Sequence, residues 1–236
     1  MENNVFALKN KKEECPGVFT LEFFLAEGRG FDFRAGQFVT FRILKDGLPG
    51  NFGKAYTITS LPGDDSLAIT VKKIGSFSGA LCGLEISDKV SVTGPYGNFY
   101  PSESDKKDVV FLAGGIGITP FYAVIKDFYK RGIDNSLFLF YSNRNKEDIA
   151  FLKEFDEILK RWKKLKIIHV LTRTQEKYPD IKEYERINTK MIKKYLGDLS
   201  GKDYFICGPS NFVSDMRDQL KNAGVEHGSL KIEAFY

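Results

Sequence analysis

Two glycine-rich turns in this chain of 236 residues sit where an apolar strand hands over to a helix, and both have the chemistry of a phosphate cradle. In VKKIGSFSGAL (Val71 to Leu81) the strand turns through Gly75 and a helix is expected from Ser78. A helix start offers free amide donors and the positive end of the helix dipole, which suits a pyrophosphate. Ser78 also reads as a plain N-cap. In GGIGITP, Gly114, Gly115 and Gly117 follow the strand VVFLA and precede a helix over Thr119 to Arg131, with Pro120 tolerated at its start. Backbone amides can approach a pyrophosphate at such a turn, although the string is not GxGxxG.

Three arginines stand near the ends of later segments: Arg144 in YSNR, Arg173 in LTRTQ beside Thr172, and Arg186 in ERI. Guanidinium forks at strand ends are the preferred grip for a phosphate, and an ordinary surface arginine is the competing reading for each. Cys207 closes DYFICG ahead of Pro209, so its thiol is expected at the carboxyl edge of a sheet; a buried small hydrophobe is the alternative. That alternative is the reading for Cys15 and Cys82.

Other chemistries find little support. His169 lies within the apolar run IIHVL and His227 in a loop, so no nucleophile-base pair is recognisable. Three cysteines without short spacing argue against a disulfide framework, a metal cage or a four-cysteine iron-sulfur cluster, so no metal is expected. The net charge of +4, from 35 basic and 31 acidic residues, suits an acidic redox partner or anionic cofactor, and no basic nucleic-acid motif accompanies it. Lys9 to Lys12 and Lys160 to Lys166 read as solvated faces. No apolar run is long enough to span a bilayer and the start MENNVFALKNKKEE is too polar and acidic for a secretion signal, so a cytoplasmic protein without membrane insertion is expected.

The elements that position these residues change rhythm once. From Val5 to Val92, short strand-like runs (VFTLEFFL, QFVTFRIL, AYTIT, LAITVKK, KVSVTG) are separated by Gly, Pro and Asp, the pattern of a small antiparallel barrel. After Pro101 strands and helices alternate: VVFLAGG, PFYAVIKDFYKRG, SLFLFYS, KEDIAFLKEFDEILKRW, LKIIHVLT, TKMIKKYLG, DYFICG, PSNFVSDMRDQLKNAG and SLKIEAFY. Such alternation predicts a parallel sheet with crossover helices. The polar stretch PSESDKKD is the expected boundary, and Thr174 to Asn188 the longest expected loop.

Five segments in one order, KAYTITS (Lys54 to Ser60), GPYGNF (Gly94 to Phe99), GGIGITP, CGP (Cys207 to Pro209) and EAFY (Glu233 to Tyr236), resemble the ferredoxin-NADP reductase family over nearly the whole chain. The resemblance implies two domains: an amino-terminal antiparallel β-barrel binding FAD (1–101) and a carboxyl-terminal α/β parallel-sheet domain binding NAD(P) (107–236). On the flavin side it implies contacts from Lys54, Ala55, Tyr56, Thr57, Thr70, Val71, Ser76, Phe77 and Ser78. Tyr56 would stack on the isoalloxazine, and Thr57 would hydrogen-bond the nitrogen that takes the hydride. Lys54 departs from the family, whose arginine at this position grips the pyrophosphate with a planar fork; a lysine offers a point charge. GPYGNF would place Tyr96 and Phe99 near the flavin-bearing part of the barrel.

On the other side the resemblance implies nicotinamide-nucleotide contacts from Gly115, Gly117, Thr119, Arg144, Thr172, Arg173, Arg186 and Cys207. NADPH is favoured, with NADH as the alternative. Phe235 would shield the second flavin face, Tyr236 would lie toward the adenine end, and Thr57, Cys207 and Glu233 would serve the hydride step. The implied activity is an FAD-dependent NAD(P)H reductase passing electrons to a separate ferredoxin or flavodoxin. The alternatives are the reductase component of a multi-chain oxygenase and a flavin-bearing electron-transfer subunit of a larger complex.

Overall fold

The computed structural model describes residues 4–45, 47–102 and 107–235. Two compact units make up the chain, Met1–Tyr100 with Tyr122–Asp127, and Pro101–Phe121 with Phe128–Tyr236. Of the expected boundary segment, Glu103 to Lys106 lie outside the described residues.

In the first unit the strands are β1 (Asn4–Cys15), β2 (Val18–Glu27), β3 (Phe38–Lys45), β4 (Leu48–Pro49), β5 (Lys54–Thr57), β6 (Leu67–Lys72) and β7 (Lys89–Tyr96), with helix α1 (Ser76–Cys82) between the last two. The antiparallel path runs β5-β3-β7-β1-β2-β6, with β4 appended to β3. It closes on itself just past β5, where Ile58 bridges Ile69 and the Thr59 N–H reaches the Ala68 carbonyl at 2.7 Å. The result is the expected antiparallel barrel. Leu8, Leu21, Phe23, Val39, Phe41, Ile58, Ile69, Val71, Val90 and Val92 fill it, each fully buried. Their period-2 spacing along the strands is what turns one face of each strand inward.

Lys9, Lys11 and Lys12 of β1 are exposed, as expected of a solvated face, and Lys11 has a further use. Lys11 Nζ donates to the carbonyls of Cys82 and Leu84 at 3.1 and 3.0 Å, tying the strand to the end of α1.

The second unit alternates β8 (Val109–Gly114), α2 (Thr119–Arg131), β9 (Leu137–Asn143), α3 (Leu152–Arg161), β10 (Leu165–Leu171), α4 (Thr189–Leu196), β11 (Asp203–Pro209), α5 (Ser210–Asn222) and β12 (Leu230–Phe235). All five strands are parallel, in the order β10-β9-β8-β11-β12. The chain therefore winds outward from β8 in one direction through β9 and β10, then returns beside β8 with β11. That reversal is a topological switch point, and ligands of open parallel sheets bind outside the carboxyl ends of the strands there.

One expected helix is broken. The segment from Lys146 makes a 3₁₀ turn (Lys146–Asp148), and α3 starts only after Phe151, whose φ is +62°. Ile149, Ala150 and Phe151, which join the turn to α3, are all buried. Among the described residues no helix is long and apolar enough to cross a membrane.

Candidate functional site

In the first unit, β5 carries four of the expected residues in sequence. Lys54 and Ala55 are exposed, Tyr56 is half-buried and Thr57 is buried. Tyr56 packs edge-on against Phe41 of the barrel core (6.1 Å, 82°) and lies parallel to Phe77 of α1 (6.3 Å, 19°). Burial, with a smaller contribution from the Cys82 thiolate charge, pushes the Tyr56 phenol up to about 12, so it stays neutral at physiological pH. The Thr57 hydroxyl makes no hydrogen bond among the described residues and is free for a ligand.

The start of α1 differs from expectation. The helix begins at Ser76 with Gly75 as its cap, two residues earlier than the composition suggests. Ser78 is not the cap: its Oγ accepts from the N–H groups of Ile74 (3.1 Å) and Gly75 (3.0 Å), folding the turn back on itself. Because that hydroxyl is committed to the turn, the donors left for an anion are the first-turn amides of Ser76, Phe77 and Ser78.

Thr70 and Val71 are also placed differently from what a ligand contact needs. Val71 points into the barrel core, and the Thr70 hydroxyl is shared with Thr20 (2.9 Å) and Thr59 (3.2 Å), so these two can meet a cofactor only through their backbone. Phe99 is 5% exposed and packs inward, whereas Tyr96 pairs with Phe38 at the end of β7.

In the second unit the parallel sheet brings the expected residues to one edge. Gly114, Asn143, Leu171, Pro209 and Phe235 are the last residues of their strands. At the switch point a 3₁₀ turn, Gly115–Ile118, separates β8 from α2. Gly115 has φ +54° and open space where a side chain would be, as a ligand-facing position requires. Gly117 serves packing instead: a Cβ there would stand 2.3 Å from the Cys207 carbonyl oxygen and 2.7 Å from the Gly208 nitrogen. Thr119 is buried, and its hydroxyl donates to the Ile116 carbonyl at 3.2 Å, steadying the turn.

Cys207 is fully buried and sits in register beside Glu233 of β12. Burial, and then the neighbouring Glu233 carboxylate, push its thiol well above the ordinary range, so it is a neutral neighbour rather than a nucleophile. Burial also pushes the Glu233 carboxyl up to about 7. Phe235, half-buried, ends β12 with its carbonyl accepting from Ser210 Oγ at 3.3 Å. Tyr236 lies outside the described residues.

Arg144 and Arg173 directly follow this edge, and the Arg173 N–H donates to the Arg144 carbonyl at 3.0 Å. Both are exposed, and neither side chain has an acidic partner among the described residues. Arg186 is exposed too; it and Arg173 each lie three residues beyond the isolated parallel bridge of Val170 and Glu183. Burial pushes the Glu183 carboxyl up, but Lys194 Nζ (2.6 Å) and the Tyr195 hydroxyl (2.7 Å) outweigh it and hold it below its usual range, anchoring the loop that carries Arg186. The Thr172 hydroxyl donates to the Asn143 carbonyl at 3.1 Å and keeps only its acceptor capacity. The Asn143 side chain is buried, and its Nδ2 lacks a partner among the described residues, an unmet donor at the same edge.

Sequence reasoning missed Asn143, an unremarkable residue in YSNR, and Phe52, a 61% exposed aromatic in NFG two residues before Lys54. His169 carries no role at the site; burial pushes it down to about 4, and it is neutral. No group of three metal-ligating side chains occurs among the described residues.

These features fit two dinucleotides: an aromatic face with a free hydroxyl and helix-start amides in the first unit, an open glycine turn with unpaired guanidinium groups in the second. Comparison with known proteins agrees. Residues 5–100 match the model of the oxidoreductase FAD-binding domain and residues 111–218 that of the oxidoreductase NAD-binding domain. The ferredoxin reductase component of 3-ketosteroid-9-alpha-monooxygenase from Mycolicibacterium smegmatis is 30% identical, over 94% of this chain and 63% of that protein. NADH-cytochrome b5 reductase 2 of Mycosarcoma maydis is 30% identical, over 96% of this chain and 67% of its own length. Among solved structures, a ferredoxin NADP+ reductase from Neisseria gonorrhoeae with bound FAD and NADP superposes with a TM-score of 0.85 over 100% of both chains at 21% identity. The chain spans between about half and two thirds of the length of the curated relatives it matches. With two domain models covering most of its length, the chain belongs to the ferredoxin-NADP reductase-like family of oxidoreductases, whose cofactors are FAD and a nicotinamide dinucleotide.

Proposed function

We propose that the chain is a reductase that draws electrons from NADPH in preference to NADH and delivers them through FAD to a separate acceptor such as a ferredoxin or flavodoxin. The observation that carries the cofactor preference is the pair Arg144 and Arg173, neighbours at the carboxyl edge with no acidic partner among the described residues. A 2′-phosphate is the part of NADPH that NADH lacks, and paired guanidinium forks are its natural grip.

Bound FAD takes up two electrons as a hydride and can release them singly. The protein positions it. Tyr56 would cover one flavin face and the free Thr57 hydroxyl would meet the reacting nitrogen. Lys54 and the first turn of α1 would hold the pyrophosphate. Cys207 would pack beside the nicotinamide as a neutral thiol, and Glu233 would set the polarity and protonation of that corner. Gly115 gives the nucleotide backbone room. A second reading, the reductase component of a multi-chain oxygenase, is favoured by the Mycolicibacterium relative, itself such a component.

The test is steady-state oxidation of NADPH and NADH with ferricyanide as acceptor. Arg173→Ala should raise the NADPH KM about tenfold or more, since hydrogen bonds to a charged group contribute about 1.5–3 kcal/mol each. The NADH KM should hardly move. Equal losses with both nucleotides would remove the 2′-phosphate assignment.

A further inference from the structure

Lys54 stands where the family places an arginine, and a lysine is a poorer grip because its ammonium rides on a flexible four-carbon stem. In this chain the stem is not left to itself. The Lys54 ammonium lies over the face of the Phe52 ring, 5.4 Å from its centroid. It makes no ion pair or hydrogen bond among the described residues. Phe52 in turn meets Phe77 edge-on at 5.8 Å (71°), and Phe77 lies parallel to Tyr56. A chain of rings thus connects the ammonium to the aromatic expected to stack on the flavin.

At Gly53 the loop presses on β3, where a Cβ would fall 2.8 Å from Thr40 Cγ2 and 3.1 Å from both Arg42 Cγ and the Phe41 carbonyl. A side chain there would force β3 to shift, so Gly53 lets the loop lie close on the strand, and Phe52 beside it is 61% exposed. A large aromatic this exposed stabilises the barrel core little. Among the described residues its ring meets the Lys54 ammonium and Phe77.

We propose that Phe52 is a positioning residue for the flavin pyrophosphate, holding the Lys54 ammonium on its ring face so that a lysine does the work of the family's arginine. The proposal rests on the reading of Lys54 as a pyrophosphate contact. A ring face attracts a cation without supplying a competing negative charge, so the ammonium is steered while its full charge stays available to an anion.

The experiment is titration of the apoprotein with FAD, followed by flavin fluorescence, for the wild type, Phe52→Ala, Phe52→Leu, Phe52→Trp, Lys54→Met and the double variant Phe52→Ala/Lys54→Met. Loss of an exposed cation-π contact should raise the FAD Kd roughly two- to fivefold in Phe52→Ala. Phe52→Leu should lose as much, because it keeps apolar bulk and lacks the ring face, whereas Phe52→Trp should restore wild-type affinity. In the Lys54→Met background Phe52→Ala should add nothing. Wild-type affinity in Phe52→Leu, or an equal loss from Phe52→Ala with and without the ammonium, would overturn the proposal by showing that residue 52 acts through bulk or touches FAD itself. A Lys54→Met variant that binds FAD as the wild type does would instead overturn the underlying reading of Lys54, and the proposal with it.

Discussion

The chemistry of Glu233 is altered by its place in the fold. Its carboxyl ordinarily titrates at 4.5 and is pushed up to about 7 by burial. The folded state thus holds a proton there that the unfolded chain has released between those two values. Stability contributed by the protonated form is fully present below 4.5 and is lost as the pH rises through 7. Glu233→Gln, which stays neutral throughout, should gain on the wild type as pH rises: the melting temperatures should be close at pH near 5 and separate by a few degrees in the variant's favour near pH 8.5. A difference that does not change with pH would show that Glu233 is not held in its neutral form. At this scale the sequence singled out Glu233, Cys207 and Tyr56 through EAFY, CGP and KAYTITS, and the structure adds their surroundings: Cys207 and Glu233 in register on neighbouring strands, Tyr56 parallel to Phe77. The sequence was not legible where a role depends on a partner far along the chain. Ser78 could not be recognised as the acceptor for Ile74 and Gly75, nor Phe52 as the ring beneath Lys54, because those contacts exist only once the turn has folded.

At the level of elements, the glycines of the β8–α2 turn differ in their surroundings. Gly117 lets the turn lie on the Cys207–Gly208 backbone, and Gly115 leaves space open. The two alanine variants should therefore differ in kind. Gly117→Ala forces atoms into 2.3 Å of the Cys207 carbonyl and should cost about 1–3 kcal/mol or more through overpacking, a clear fall in melting temperature. Gly115→Ala meets no atom and costs only the strain of a left-handed backbone, about 1 kcal/mol, so its main effect should be a weaker nicotinamide-nucleotide affinity. Equal thermal losses with unchanged nucleotide binding in both variants would mean that Gly115 too is structural. Periodicity located most elements of both units, since the barrel strands alternate and the later helices show amphipathic spacing, but it did not single out β1, whose second half is a run of polar and charged residues. It failed where buried apolar residues are contiguous, as at Ile149 to Phe151, because a run without period does not say whether it continues a helix or breaks one.

For the molecule as a whole, the balance of 35 basic and 31 acidic residues leaves a net +4, too small to define a surface but of the sign that favours an acidic acceptor. Long-range steering of this kind acts on the encounter, not on the chemistry within the chain, and it is screened over about 10 Å at 0.1 M salt. The two halves of turnover should thus respond differently to ionic strength. With NADPH saturating, kcat/KM for an acidic ferredoxin or flavodoxin should fall several-fold between low and high salt, whereas the rate with an uncharged quinone acceptor should change little. The quinone removes any contribution from flavin reduction itself, because both assays share that step. If the two acceptors respond alike, or if the protein acceptor is favoured by salt, the positive charge plays no part in acceptor capture, and recognition must come from apolar complementarity at the acceptor surface instead.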